Sequence, residues 1–443
     1  MKVKFFLVFF LIQYVPFQAQ EGFRFLSNPT KTEVPFQLIN NLIFITMEVN
    51  GIPLNFLLDS GVEETILFSL DEKKELNLYN VEKVLLRGLG SEESVEGLKS
   101  TNNNLFVNGL VANKQLFYII LDQKFNLSSH IGIPVNGIIG APFFRNNLVE
   151  INYIKKKLVI TKPSAKYLQK LEKKFTKIPI TIENAKPYLT AKLKIDSIVK
   201  EAKMLIDIGN SDAIWVFQNP TVGIKVPTKH FDDFLGKGFS GDIEGKRAKI
   251  NEVQLANFNF KTPVVAFPDS SSLKHVRMVP NRVGSVGAEI FRRFKVVFDY
   301  QNQNIYLKKN HTFKSHFKYN RSGIEIEQNG LRWVQEYIKL ENNQLVSYAN
   351  SGQQIAKSFN DFQYKFELKP NYFISNIRKK SAAEKKGLLV GDEILSIDGV
   401  SVYKYTLQKV LSLFMVEEDK QITIVVLREG KELKFTFKLE NEL

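Results

Sequence analysis

No cysteine occurs anywhere in the 443 residues. That absence excludes disulfides, thiolate metal sites, a cysteine nucleophile and a lipid-modified N-terminal cysteine. Histidine is nearly as scarce. His130, His230, His275, His311 and His316 show no HExxH or other metal-ligand spacing, so no metal site is expected and no cofactor is implied. Ser128 and Ser129 beside His130 raise a serine hydrolase, but the stretch reads as a loop without a nucleophile elbow. Gly-rich phosphate loops and aromatic-basic ribonucleoprotein patterns are also missing. The net charge of +15 comes mostly from dispersed lysines, read as a solvated face, and no nucleic-acid partner is expected.

Long apolar runs are absent too. The longest sits at the start, where "MKVKFFLVFFLIQYVPFQAQ" pairs Lys2 and Lys4 with an apolar stretch over 5–12, then Pro16 and Ala19. This is the layout of a secretory signal peptide over 1–20. The stretch is well below the roughly 20 residues that cross a bilayer, so no stable membrane span is expected. The expected location is the periplasm or the medium.

What is present points to strands. Phe (36) and Tyr (15) are abundant, and a chain of this length exceeds a single core, which predicts two or three domains. At 56–67, "FLLDSGVEETIL" sets Asp59 at the end of a buried run. An ionised carboxylate there costs several kcal/mol unless paired, hydrogen-bonded or protonated. Upstream, Ile43, Ile45, Met47 and Val49 share one face, Asn50-Gly51 marks a hairpin, and 52–58 returns as a strand.

The plan recurs. In "YLTAKLKIDSIVKEAKMLIDIGNSDAIWVF" (188–217), alternating Leu189, Ala191, Leu193 and Ile195 precede a return strand ending at Asp207-Ile208-Gly209. Downstream, "GIIGAPFFRNNLVEINYIKKKLVI" from Gly137 is answered by "GSVGAEIFRRFKVVFDYQNQNIYL" from Gly284. Tyr153 and Tyr300 lie 147 positions apart and the two acids 148. A duplication held in this register predicts two β-rich lobes about a pseudo-twofold axis.

Over roughly 35–308 the sequence resembles the aspartic peptidases, specifically retropepsin-like bacterial proteins whose two lobes are fused in one chain. The resemblance rests on Asp59-Ser60-Gly61, Asp207-Ile208-Gly209, and the later segments Ile138-Ile139-Gly140 and Ser285-Val286-Gly287. It implies an all-β-dominated fold with two acid-protease β-barrel lobes, over 21–165 and 166–310, and catalytic Asp59 and Asp207 supported by Ser60, Gly61 and Gly209. Two such carboxyls share a proton and activate water without a covalent intermediate. Glycine-rich stretches at 85–97 and 234–245 are expected as one flap per lobe, hinged at Gly88, Gly90, Gly236, Gly238 and Gly241, with ordinary hairpin loops as the alternative. Ile208 departs from the family pattern, because it lacks the hydroxyl that would bond across the lobe interface. Val62 and Asn210 replace the small residues usual after the glycine. A weak or inactive protein of the same fold that binds peptides therefore stands beside the endopeptidase reading.

After Lys309 the pattern changes. "SAAEKKGLLVGDEILSIDG" (381–399) is similar to the core of bacterial PDZ domains, which implies an α+β PDZ domain over 311–443 with an insertion near 331–370. A short helix is expected over 382–387, a strand over 393–397, a helix over 406–418 and a closing hairpin. Ser322, Gly323 and Ile324 would form the carboxylate-binding loop for a C-terminal peptide. The expected partners are a peptide or unfolded-protein substrate and that second peptide.

Overall fold

The computed structural model describes residues 22–68, 75–89, 94–122, 125–219, 223–238, 241–339, 346–348, 354–356, 362–416 and 420–443. The expected signal peptide and Gly90 lie outside them. The architecture is β-dominated, built from several sheets. No described helix is long and apolar enough to cross a membrane.

In the first half, strands Leu42–Val49 and Ile52–Leu58 form a hairpin closed by Asn50 and Gly51, both at positive φ. That is the backbone a two-residue hairpin with right-handed strand twist requires. Ile43, Ile45, Met47 and Val49 all face the core. Strand Ile52–Leu58 then runs parallel to Gly137–Ile139, which lies antiparallel to Thr65–Leu67, and Thr65–Leu67 is parallel to Leu110–Ile120.

The second half repeats each pairing. Lys186–Ile195 and Ile198–Asp207 form the hairpin, and Ile198–Asp207 runs parallel to Arg282–Gly287. Arg282–Gly287 is antiparallel to Ile214–Val216, itself parallel to Val264–Pro268. The register matches as well: Leu57 faces Ile138 in one copy and Leu205 faces Ser285 in the other.

A third sheet joins the halves. It takes Lys31–Pro35, Lys157–Thr161 and Leu148–Asn152 from the first half, and Phe294–Asp299, Asn304–Lys309 and Thr176–Pro179 from the second. At its centre Glu150 pairs with Val297, and Val149 and Ile151 pair with Phe298 and Val296. Glu150 and Val297 are 147 positions apart, the offset of the duplication, so a pseudo-twofold axis passes through this pair. One apolar core runs through both halves, from Phe23 to Leu307.

The last third builds a core of its own around Ile324, Tyr372, Ile394, Val410 and Ile424. Its sheet is ordered Ile324–Lys339, Phe362–Ile377, Glu393–Ile397, Gln421–Arg428, Lys431–Lys438. The stretch expected as an insertion continues the first two strands outward as a hairpin arm, with Leu331 opposite Pro370 and Lys339 opposite Phe362. Helices occupy Ala382–Lys385 and Leu407–Leu413. The second is shorter than the spacing predicts. Its end is drawn into the loop before the first strand, where the Arg321 N–H donates to the Phe414 carbonyl.

Candidate active site

Each acid is delivered by the end of a hairpin strand beside the strand that closes its lobe. The Asp59 N–H donates to the Ile139 carbonyl at 3.0 Å, and Asp207 lies opposite Gly287 in its ladder. The two carboxyls face each other across the axis, close enough that each bears on the other's protonation. The Gly61 N–H donates to Asp59 Oδ1 at 2.7 Å, and the Gly209 N–H also reaches Asp59. Gly209 is required by space and Gly61 sits in a tight one. A Cβ on Gly209 would sit 2.1 Å from Asp59 Cγ, and one on Gly61 would sit 3.1 Å from atoms of both carboxyls.

Burial, then the facing Asp207 carboxyl, pushes Asp59 up to about 8. Asp207 is raised as well, by burial, but Arg282 and the hydrogen bonds it accepts oppose the rise. Like charges this close cannot both ionise cheaply, so the pair shares a proton and titrates as a unit.

Ser60 ties the lobes together. Its hydroxyl donates to the Ile206 carbonyl at 2.6 Å and accepts from the Ile208 N–H at 3.2 Å. Ile208 is fully buried and returns no such bond, so the cross-lobe grip is one-sided.

Above the acids, Glu82–Leu86 pairs with Val95–Val107, and His230–Gly238 pairs with Gly241–Lys249. These hairpins carry Gly88, Gly236, Gly238 and Gly241. They meet: a Cβ on Gly238 would lie 2.0 Å from the Leu89 carbonyl oxygen, and Leu89 packs against Trp215, Leu235 and Ile243. Gly236 takes φ +142°, open only to glycine without strain. Beneath the hairpins runs a cleft of about 1510 Å³ lined by both acids and both hairpin ends. This exceeds the roughly 300–1,000 Å³ of small-molecule sites and suits a polymer.

Ser128, Ser129 and His130 form no nucleophile. Both hydroxyls donate to backbone carbonyls, of Val135 and Asn126, and His130 Nε2 stands 3.9 Å from Glu327. Their short helix packs on the first strand of the C-terminal sheet, where Gly132 reaches Leu407.

Ser322, Gly323 and Ile324 sit at the start of that strand, and their amides are already paired. Asn320 Oδ1 accepts from the Ser322 and Gly323 N–H groups, and Ser322 Oγ accepts from the Ile324 N–H. In this conformation the loop does not offer those three donors to a carboxylate.

Sequence reasoning missed the charged chain behind the second flap. Asp212 accepts from Trp215 Nε1 and from Arg247 Nη1, both at 2.8 Å. Arg247 Nε also donates to Asp233, which meets Arg378 at 3.4 Å, and Arg378 donates to Glu442 at 2.6 Å. It also missed Arg282, although Ser285, three residues on, already stood out as a polar residue in an apolar motif.

A family model described as "PDZ domain" matches residues 373–428. This part of the chain is a PDZ domain. Among solved structures the chain is similar to an aspartic proteinase from Irpex lacteus, at 12% identity and a TM-score of 0.40, covering 64% of this chain and 99% of that one. No curated protein matches the chain.

Proposed function

We propose that the chain is an aspartic-type endopeptidase that hydrolyses extended polypeptide through water held between Asp59 and Asp207, with its PDZ domain as a peptide-binding module. The observation that carries this reading is the facing pair of buried carboxyls in a two-flap cleft. The ionised carboxyl takes a proton from water as the water oxygen bonds to the scissile carbonyl carbon. The protonated one gives its proton to the carbonyl oxygen. When the resulting diol collapses, the C–N bond breaks, the nitrogen leaves with the first proton and the second returns to the dyad.

Export behind a signal peptide over 1–20, and lobe boundaries near 165 and 310, belong to the same proposal. The pairing of the 322–324 amides favours an internal segment of substrate over a free C-terminus at the PDZ groove.

Peptide-library digestion across pH tests the reading. Cleavage is expected from the intact sequence and is expected to vanish in Asp59→Asn and in Asp207→Asn alike. The one-sided grip at Ile208 motivates the rival, a peptide-binding protein without turnover. Affinity with no cleavage at any pH, persisting in Ile208→Thr, would establish that rival instead.

A further inference from the structure

The lobes match in topology and register but not in what surrounds each acid. At the positions 147 apart, the first lobe has Val135 and Ile138, both buried in its apolar layer. The second has Arg282 and Ser285. Arg282 is fixed by a bond from Nε to the Gly284 carbonyl at 3.2 Å, one from Nη2 to Ser285 Oγ at 2.8 Å, and the Phe217 ring 5.1 Å from its guanidinium. Ser285 is buried on the strand paired with that of Asp207, lines the same cleft and bears on the Asp207 carboxyl.

The chemistry fixes the direction of that second bond. A guanidinium only donates, so Ser285 Oγ accepts from it and its own hydrogen is left for an acceptor in the cleft beside it, where Asp207 lies. A hydroxyl aimed in this way favours the ionised form of the carboxyl it meets. Asp59 instead has the Gly61 amide, the Gly209 backbone and Asp207 beside it.

We infer that Arg282 and Ser285 are positioning residues that assign the two aspartates their roles, holding Asp207 as the ionised base and leaving the proton on Asp59 as the acid. This rests on the peptidase reading and deepens it. Asp207 accepts the proton of the attacking water and later hands it to the leaving nitrogen. Asp59 donates to the carbonyl oxygen and is reprotonated when the diol collapses, so each cycle restores the starting arrangement. Among the described residues, Tyr188 bears on Asp207 and Tyr300 on Asp59, and the cleft that the acids line also carries Glu63, Lys186, Asp212, Glu289 and Arg292. Both tyrosines are held neutral by burial. Arg282 is a cation beside Asp207 at the position where the first lobe has the apolar Val135.

The test is carbon-13 NMR titration of the aspartate carboxyls in the intact chain, alongside the pH profile of peptide cleavage, for wild type, Ser285→Ala, Arg282→Gln and Arg282→Lys. The Asp207 resonance is expected to titrate first in wild type. In Ser285→Ala and Arg282→Gln its midpoint and the acid limb of kcat/KM are expected to move up by about one pH unit. Arg282→Lys recovers part of that shift. The double variant moves less than the two single shifts added together, because the residues act in series.

An unmoved Asp207 midpoint in folded Ser285→Ala and Arg282→Gln overturns the inference, as does a rise in KM with both limbs in place, the mark of a substrate contact. Because the titration needs no turnover, a protein that cleaves nothing yet shows these shifts would refute the peptidase reading and leave the assignment of the proton standing.

Discussion

Ser60 satisfies two backbone groups of the opposite lobe with a single hydroxyl, and Ile208 answers it with none. In Ser60→Ala the Ile206 carbonyl and the Ile208 N–H are left buried without that partner. Such losses cost about 1–3 kcal/mol, so urea denaturation is expected to show a fall of that size, with Ser60→Thr close to wild type. The acids themselves could be read from the sequence because each stands in a repeated motif, and repetition separates a paired acid from a turn acid. Arg282 could not be read in the same way. Its meaning depends on a guanidinium meeting a hydroxyl on the same closing strand, and an isolated arginine before a glycine carries no periodic signal.

Between elements, the contact that matters most is that of the second flap with the first. The Gly238 backbone lies against that of Leu89 too closely for any side chain. Gly238→Val is expected to push the hairpin ends apart while leaving both cores intact. Hydrogen exchange over 230–249 should quicken, KM for an extended peptide should rise several-fold, and the unfolding midpoint should barely move; an unchanged exchange rate would remove the contact from the account. Hairpins such as Leu42–Val49 with Ile52–Leu58 were legible because alternation and Asn-Gly chemistry are local. The length of the PDZ strands was not. Strand Ile324–Lys339 outruns its motif, and a partner strand beginning 23 residues further on, at Phe362, decides where it ends.

At the scale of the whole molecule, the PDZ domain is docked on the base of the second flap. Phe231, Val264, Tyr319 and Leu443 make the apolar contact, and Arg378 stacks over Phe231 at 4.1 Å while meeting Asp233. None of this was visible in the sequence, where scattered lysines and arginines read as solvated surface. Glu325 lies in the same junction, near Asp233, Arg247, Arg378 and the Asn320 amide. Burial, then Asp233, pushes it up to about 7 from an ordinary 4.5. A carboxyl raised on folding contributes its stability in full below about pH 4.5 and loses it as pH climbs through 7. The wild-type unfolding midpoint is therefore expected to fall by about 2–4 °C more than that of Glu325→Gln between pH 5 and 8; parallel curves would show that Glu325 does not titrate in the junction. The touching hairpins have a last consequence. With the two hairpins in contact at Gly238 and Leu89, a polypeptide substrate of the proposed peptidase would enter lengthwise, so a loose strand or a ragged terminus would slide through where a tight bend is turned away. On the proposed reading, compact proteins would be spared by the doorway, before any chemistry has a chance to choose.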